Sequence, residues 1–242
     1  MNSTPETFNQ LYQIESQPSI HENSKPEELI NWAFSHFADR KIVLTTSFGM
    51  EGCALIDMCS KVADSVKVAY IDTGFFFPET LKLRDQIAEK YDNVELERWA
   101  SPVTVEKQKE SYGPNLWQNN PTLCCHIRKV VPMIQHIGQF DLWITGIRKS
   151  QTAHRAQTPT LQWDWRYKIL KFSPLANWTR KDTWKYVNRH DVPFNQLHLQ
   201  GFPSISCFYC TKAVPNSSPD SDNREGRWEG TDKTECGLHY SI

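Results

Sequence analysis

Residues 41–74 read KIVLTTSFGMEGCALIDMCSKVADSVKVAYIDTG, and their pattern sets the fold class. Lys41–Thr46 (KIVLTT) is a short apolar run rich in branched side chains, which predicts a buried strand. Ser47–Gly52 (SFGMEG) is a turn of mostly small residues, and Ala54–Val62 then reads as a helix. Val66–Ile71 (VKVAYI) is a second strand, closed by Asp72, Thr73 and Gly74. Two strands joined through a helix pair in parallel, because only a crossover connection returns the chain to the same edge.

The alternation continues outward. Pro78–Tyr91 predicts a helix, Val94–Leu96 a weak third strand, and Leu123–His136 a helix carrying two adjacent cysteines. Leu142–Thr145 (LWIT) is a further strand, broken at Gly146. Tyr167–Phe172 is another, before a helix from about Arg180, where Thr179 and Asp182 match a capping box. Upstream, Pro26, Glu27 and Glu28 suit the first turn of a helix whose apolar face is Ile30, Ala33, Phe34 and Phe37. The expected architecture is α/β, a parallel sheet with helices on both faces. Ligands in such sheets sit beyond the carboxyl ends of the strands, so the turns at residues 47–52, 72–74 and 146–155 converge on one crevice. Residues 1–24 are expected to form an arm, 25–212 the α/β nucleotide-binding domain, and 213–242 a mobile C-terminal segment, polar and rich in turn formers.

The chain has 242 residues, 39% hydrophobic, enough for a sizeable core without disulfides or metal. Its 27 Lys and Arg nearly cancel 28 Asp and Glu, so no global field calls for nucleic acid or an anionic membrane. Neither a membrane-length apolar run nor a secretory signal is visible, and the expected location is cytoplasmic. Seven cysteines in that setting point to metal binding or thiol chemistry.

Four of those cysteines form two pairs, Cys124-Cys125 and Cys207-x-x-Cys210. Four thiolates suit tetrahedral zinc or an iron–sulfur cluster, and unliganded thiols remain the plain alternative. Neighbouring side chains diverge, so the adjacent pair fits the spread corners of a 4Fe–4S cluster better than one small zinc site. Cys53 and Cys59 fall in the first crossover helix and read as small apolar residues. Cys236, near the end of a polar tail, is either an incidental thiol or one that reaches a crevice, its pKa lowered by Lys129, Arg224 and Arg227. The run Gly146–Arg155 (GIRKSQTAHR) is either an ordinary basic loop or a phosphate clamp; Ser47–Gly52 is either a plain turn or a phosphate-binding one, without a Walker lysine. His126, His198 and His239 lack metal-ligand spacing.

Taken in order, SFGMEG, YIDTGFFFPET (70–80), Cys124-Cys125, GIRKSQTAHRA (146–156), FSPLANW (172–178), GFPSISCFYCTKAV (201–214) and ECGLH (235–239) resemble the assimilatory adenylylsulfate and phosphoadenylylsulfate reductases. The resemblance implies an adenine-nucleotide α-hydrolase-like fold of the PP-loop type. It implies sulfite formation with thioredoxin, or glutaredoxin, as reductant. By the same likeness Cys236 is the nucleophile, with Lys129, Arg224 and Arg227 around the sulfate. Cys124, Cys125, Cys207 and Cys210 would hold one 4Fe–4S cluster. Thr46, Ser47, Phe48, Gly49, Ile71, Asp72, Thr73, Gly146 and His239 would meet the nucleotide, with Arg148 and Arg155 near phosphate. Retention of the four cysteines favours adenylylsulfate (APS) as substrate, whereas SFGMEG partly resembles the branch using the 3′-phosphorylated form (PAPS). An ATP pyrophosphatase and a non-enzymatic cluster sensor are the remote alternatives, and homo-oligomerisation is left open.

Overall fold

A computed structural model describes residues 24–215, 224 and 226–239. Six strands form one sheet: β1 (Ile42–Thr46), β2 (Val66–Asp72), β3 (Val94–Ala100), β4 (Leu142–Thr145), β5 (Leu161–Asp164) and β6 (Ile169–Phe172). Their spatial order is β3-β2-β1-β4-β6-β5. All neighbours run parallel except β5, which pairs antiparallel with β6 at one edge. β5 escapes the sequence pattern because Gln162 and Asp164 interrupt its apolar run and the connecting turn is only a few residues long.

Helices cover both faces, as the near-continuous apolar strands require. On one face α1 (Pro26–His36), α2 (Met50–Ser60), α3 (Pro78–Lys90) and α8 (Arg180–Arg189) bury Leu44, Val68, Ile144 and Leu170. Each of those side chains is at most 1% exposed and contributes about 2 kcal/mol of transfer free energy. The alternate residues Val43, Ala69 and Trp143 point to the opposite face, against Met133 and Ile137 of α7 (Val131–Ile137). α8 starts at the expected place: the Thr179 hydroxyl accepts from Asp182 N, while the Asp182 carboxylate accepts from Thr179 N.

Between β3 and α7 lie α4 (Val105–Tyr112), α5 (Leu116–Asn119) and α6 (Pro121–Cys125). α6 continues into α7 through a five-residue π turn, His126–Val130. The single helix expected over this region is therefore locally widened, a distortion that concentrates at functional sites. The turn buries both Arg128 and Lys129.

The strand order reverses between β1 and β4, so a crevice opens beyond Thr46 and Thr145. Close packing defines its floor. A Cβ on Gly146 would stand 3.0 Å from Glu51 Cβ, and one on Gly52 would stand 2.2 Å from Thr46 Oγ1. The same Thr46 hydroxyl accepts from Phe48 N at 2.8 Å, holding Phe48 at φ 58°. That left-handed conformation is strained for a bulky residue, and the fully buried Phe48 ring, packed near Tyr70 and Phe76, fixes it there.

Candidate active site

The crevice at the switch point is a cavity with an apolar floor and several cations. From β1 and the turn after it come Thr46, Ser47 and Gly49; from the end of β2 come Ile71 and Thr73. Gly146, Arg148 and Arg155 follow β4, and the tail adds Arg224, Arg227, Cys236 and His239. Lys129, from the π turn, reaches the same space.

Two residues expected at the nucleotide do not line the crevice. Phe48 turns into the core, as described above. The Asp72 carboxylate instead accepts from Gly74 N at 2.8 Å and from Arg98 Nε at 2.6 Å, which shapes the turn and the neighbouring strand. Side chains alternate along a strand, so Ile71 and Asp72 cannot both face the crevice.

The cations fall into two sets. Arg148 is 2% exposed and is held by Glu51, which accepts from its Nε at 2.9 Å and its Nη2 at 2.8 Å. Burial would raise the Glu51 carboxyl, but Arg148 overturns that and holds it at about 2. Arg155 and Arg224 both donate to Glu235. By contrast, Lys129 and Arg227 form no ion pair with a carboxylate of the described residues. Lys129 donates to Ser206 Oγ at 3.1 Å, and Arg227 to Ser204 Oγ at 3.2 Å and to the Cys210 carbonyl at 3.3 Å. Burial acts to lower both. For Arg227 burial prevails, bringing it to about 10; Lys129 is instead raised by the facing sulfurs of Cys207, Cys125 and Cys236.

Cys236 is buried against Cys125 and Trp228. Burial would raise its thiol, yet Lys129, then Arg224 and the Leu238 backbone, hold it below the ordinary value. A thiol in that state is a competent nucleophile. The tail just after it is anchored twice: the Arg166 guanidinium donates to the Gly237 carbonyl at 2.5 Å, and His239 stacks on Trp143 at 5.3 Å. Trp143 in turn carries Lys171 over its ring at 4.8 Å. The polar stretch 215–234 does contribute a buried aromatic, Trp228, because Arg224, Arg227 and Lys233 lie over its ring.

The other cysteines lie beside this thiol. Cys124, Cys207 and Cys210 pack together, and Cys210 also touches the group of Cys125 and Cys236. Burial pushes Cys124 up to about 12 and Cys210 to about 11, so as thiolates these two need a cationic partner. Two buried N–H groups beside them, Arg128 Nη2 and Trp228 Nε1, find no acceptor among the described residues. Gln108 Nε2 stands 3.9 Å from Cys124 Sγ, and its Oε1 accepts from Arg128 Nε. Among the described residues no three such ligands are arranged for a single metal ion. The donor set and the orphaned N–H groups fit a multinuclear anionic cluster, whose corners are further apart. Cys53 and Cys59 are fully buried core residues, as expected.

Sequence reading assigned no role to Glu51, Thr152, Ser206 or Glu235. Glu51 and Glu235 lay inside quoted motifs, but a carboxylate in a crevice for an anion has no signature until its arginine is placed.

An apolar-floored crevice at the reversal of a parallel sheet, rimmed by cations and entered by a thiol, defines an oxidoreductase acting on a sulfur-bearing nucleotide once the family is known. The chain belongs to the phosphoadenosine phosphosulfate reductase domain family, whose model matches residues 41–213. It is 41% identical over 212 residues to an adenosine 5′-phosphosulfate reductase of Halalkalibacterium halodurans, covering 88% of this chain and 90% of that protein. A Salinibacter ruber protein of the same name is 41% identical over 216 residues, covering 89% and 84%. The crystal structure of a phosphoadenylyl-sulfate reductase from Candida auris, in a phosphate complex, matches with TM-score 0.69 and 26% identity over 88% of this chain and 99% of that one. No helix among the described residues is long and apolar enough to cross a membrane.

Proposed function

We propose that the chain reduces APS to sulfite and AMP, with Cys236 as the thiol that accepts the sulfo group. The observation that carries this reading is the placement of Cys236 in the crevice beside Lys129 and Arg227, two cations that form no ion pair with a carboxylate of the described residues. The Cys236 thiolate attacks the sulfur of the sulfo group; an S–S bond forms, the S–O bond to phosphate breaks, and AMP leaves. Lys129, Arg227 and, when its partner allows, Arg224 offset the charge developing on the leaving phosphate. A thiolate of a thioredoxin-class dithiol protein then attacks Cys236 Sγ and releases sulfite. Its second thiol resolves the mixed disulfide, so both electrons come from the dithiol.

We further infer that Cys124, Cys125, Cys207 and Cys210 hold a 4Fe–4S cluster. When bound, it supplies a fixed negative field that orients Lys129. Thr46, Ser47, Gly49, Ile71, Thr73 and Gly146 would seat the nucleotide, with Arg148 towards its phosphate. A second reading, PAPS as substrate, is favoured by the likeness to the Candida auris protein. Anaerobic native mass spectrometry after incubation with APS or PAPS, without reductant, tests both. One SO₃ unit on Cys236, gained faster from APS, is expected; no adduct from either nucleotide overturns the reading.

A further inference from the structure

Arg155 and Arg224, expected from the sequence to meet the substrate, are engaged by the residue next to the thiol. The Glu235 carboxylate accepts from Arg155 Nε and Nη2, both at 2.8 Å, from Arg224 Nη1 at 2.6 Å and from Thr152 Oγ1 at 3.1 Å. Such a set fills both oxygens, and the bidentate arginine fixes the plane of the carboxylate. Glu235 is 5% exposed and held at about 2, chiefly by Arg155 against the opposing effect of burial. It is thus ionised throughout the working range.

We propose that Thr152, Arg155 and Arg224 form a socket for Glu235, and that this latch is what positions Cys236 in the crevice. The proposal rests on the reading of Cys236 as the sulfo-accepting thiol. Three donors come from the loop after β4 and one from the tail, so the latch ties the tail to the sheet immediately before the thiol. The Arg166 and His239 contacts tie it immediately after. With both ends fixed, Cys236 has one place to stand; with Glu235 released, it swings on a tether held at one end. Glu235 is a positioning residue, because it acts through Cys236 and through the two arginines.

The test measures access to Cys236 in the full chain, without substrate, by iodoacetamide labelling mapped to peptides. Labelling is read on the alkaline plateau, where every variant holds Cys236 as thiolate and the rate reports access alone. Glu235→Gln and, from outside the tail, Arg155→Gln are each expected to label Cys236 about tenfold faster than wild type, the scale of one or two lost charge-assisted bonds. Glu235→Asp, which keeps the charge on a shorter arm, is expected to fall between. At saturating APS, Glu235→Gln is expected to form the SO₃ adduct about tenfold more slowly without weaker AMP binding, a loss of positioning rather than affinity. A residue with only a structural role would lower the melting temperature and leave labelling at the wild-type rate. Wild-type labelling in both Glu235→Gln and Arg155→Gln overturns the latch. Absence of any adduct on wild-type Cys236 overturns the functional reading instead, and the labelling arm still decides the latch.

Discussion

Lys129 Nζ lies 3.1 Å from Ser206 Oγ, facing the thiols of Cys125, Cys207 and Cys236 with no carboxylate of the described residues to neutralise it. A buried ammonium in that position acts on whatever anion enters the crevice and on the thiolate that attacks it. Lys129→Met is expected to slow adduct formation at neutral pH by at least about 100-fold, the usual scale for losing one preorganised charge. Its pH dependence carries the sign. Wild-type Cys236 is held below the ordinary thiol value, so its rate levels off at a lower pH than that of an ordinary thiol. Without the ammonium the thiol pKa rises, the inflection moves to higher pH, and the deficit shrinks as pH increases. An unmoved inflection in Lys129→Met would refute this role.

The two classes of cysteine should separate by iron content. Cys124→Ser or Cys207→Ser is expected to lose most bound iron and sulfide after anaerobic purification, whereas Cys53→Ala and Cys59→Ala should keep the wild-type content. Wild-type protein should carry about four irons per chain. Iron-free wild-type protein from cluster-competent cells would count against the cluster.

Acid should loosen the crevice through Glu51. Its carboxyl sits at about 2 in the fold against 4.5 as its ordinary value. A depressed carboxyl contributes fully above its unfolded value and loses that contribution as pH falls towards the folded one. Between pH 5 and pH 2 the loss is up to about 3 kcal/mol. Glu51→Gln should cost about 3 kcal/mol at pH 7, because Arg148 stays buried, and should flatten the slope below pH 5. Urea melts at pH 7, 4 and 3 check both; equal slopes in the two proteins would contradict the pairing.

Gly52→Ala should cost about 3 kcal/mol or more, since its Cβ would stand 2.2 Å from Thr46 Oγ1. Removing that oxygen leaves a 3.1 Å approach to Thr46 Cβ, which a small shift can relieve. The double variant Thr46→Ala/Gly52→Ala is therefore expected to be more stable than Gly52→Ala alone. Additive losses in a double-mutant cycle would show that α2 moves away freely.

The parallel core of the fold was legible because β1, β2 and β4 are buried on both faces and read as unbroken apolar runs. The edge strand β5 was not, since three of its four residues are only partly buried and its partner lies only a turn away. β3 ran to Ala100, beyond its expected end, because the exposed edge admits Glu95, Glu97 and Arg98. At the site, the sequence picks out Cys236, Lys129 and Arg227, and the structure brings the three to one crevice. What the sequence hid was pairing: Glu51 with Arg148, and Glu235 with Arg155 and Arg224. Which cations are paired with a carboxylate depends on folded distances, between residues 97 positions apart for Glu51 and Arg148, 80 for Glu235 and Arg155, and 11 for Glu235 and Arg224.

The π turn at His126–Val130 has a consequence for how such a site can be tuned. It lies between the half of the helix that ends in Cys124 and Cys125 and the half that seats Met133 and Ile137 on the sheet. A π turn spends one residue more than an α turn on the same full rotation, so it takes in an extra residue without turning the segments on either side. Losing a single residue there would close the turn to an ordinary α turn and leave the cysteine pair and the sheet-facing half in the same relative orientation. The wide turn is therefore a slack link, in which one residue can be gained or lost while the aim of the thiols and the packing that supports them both hold.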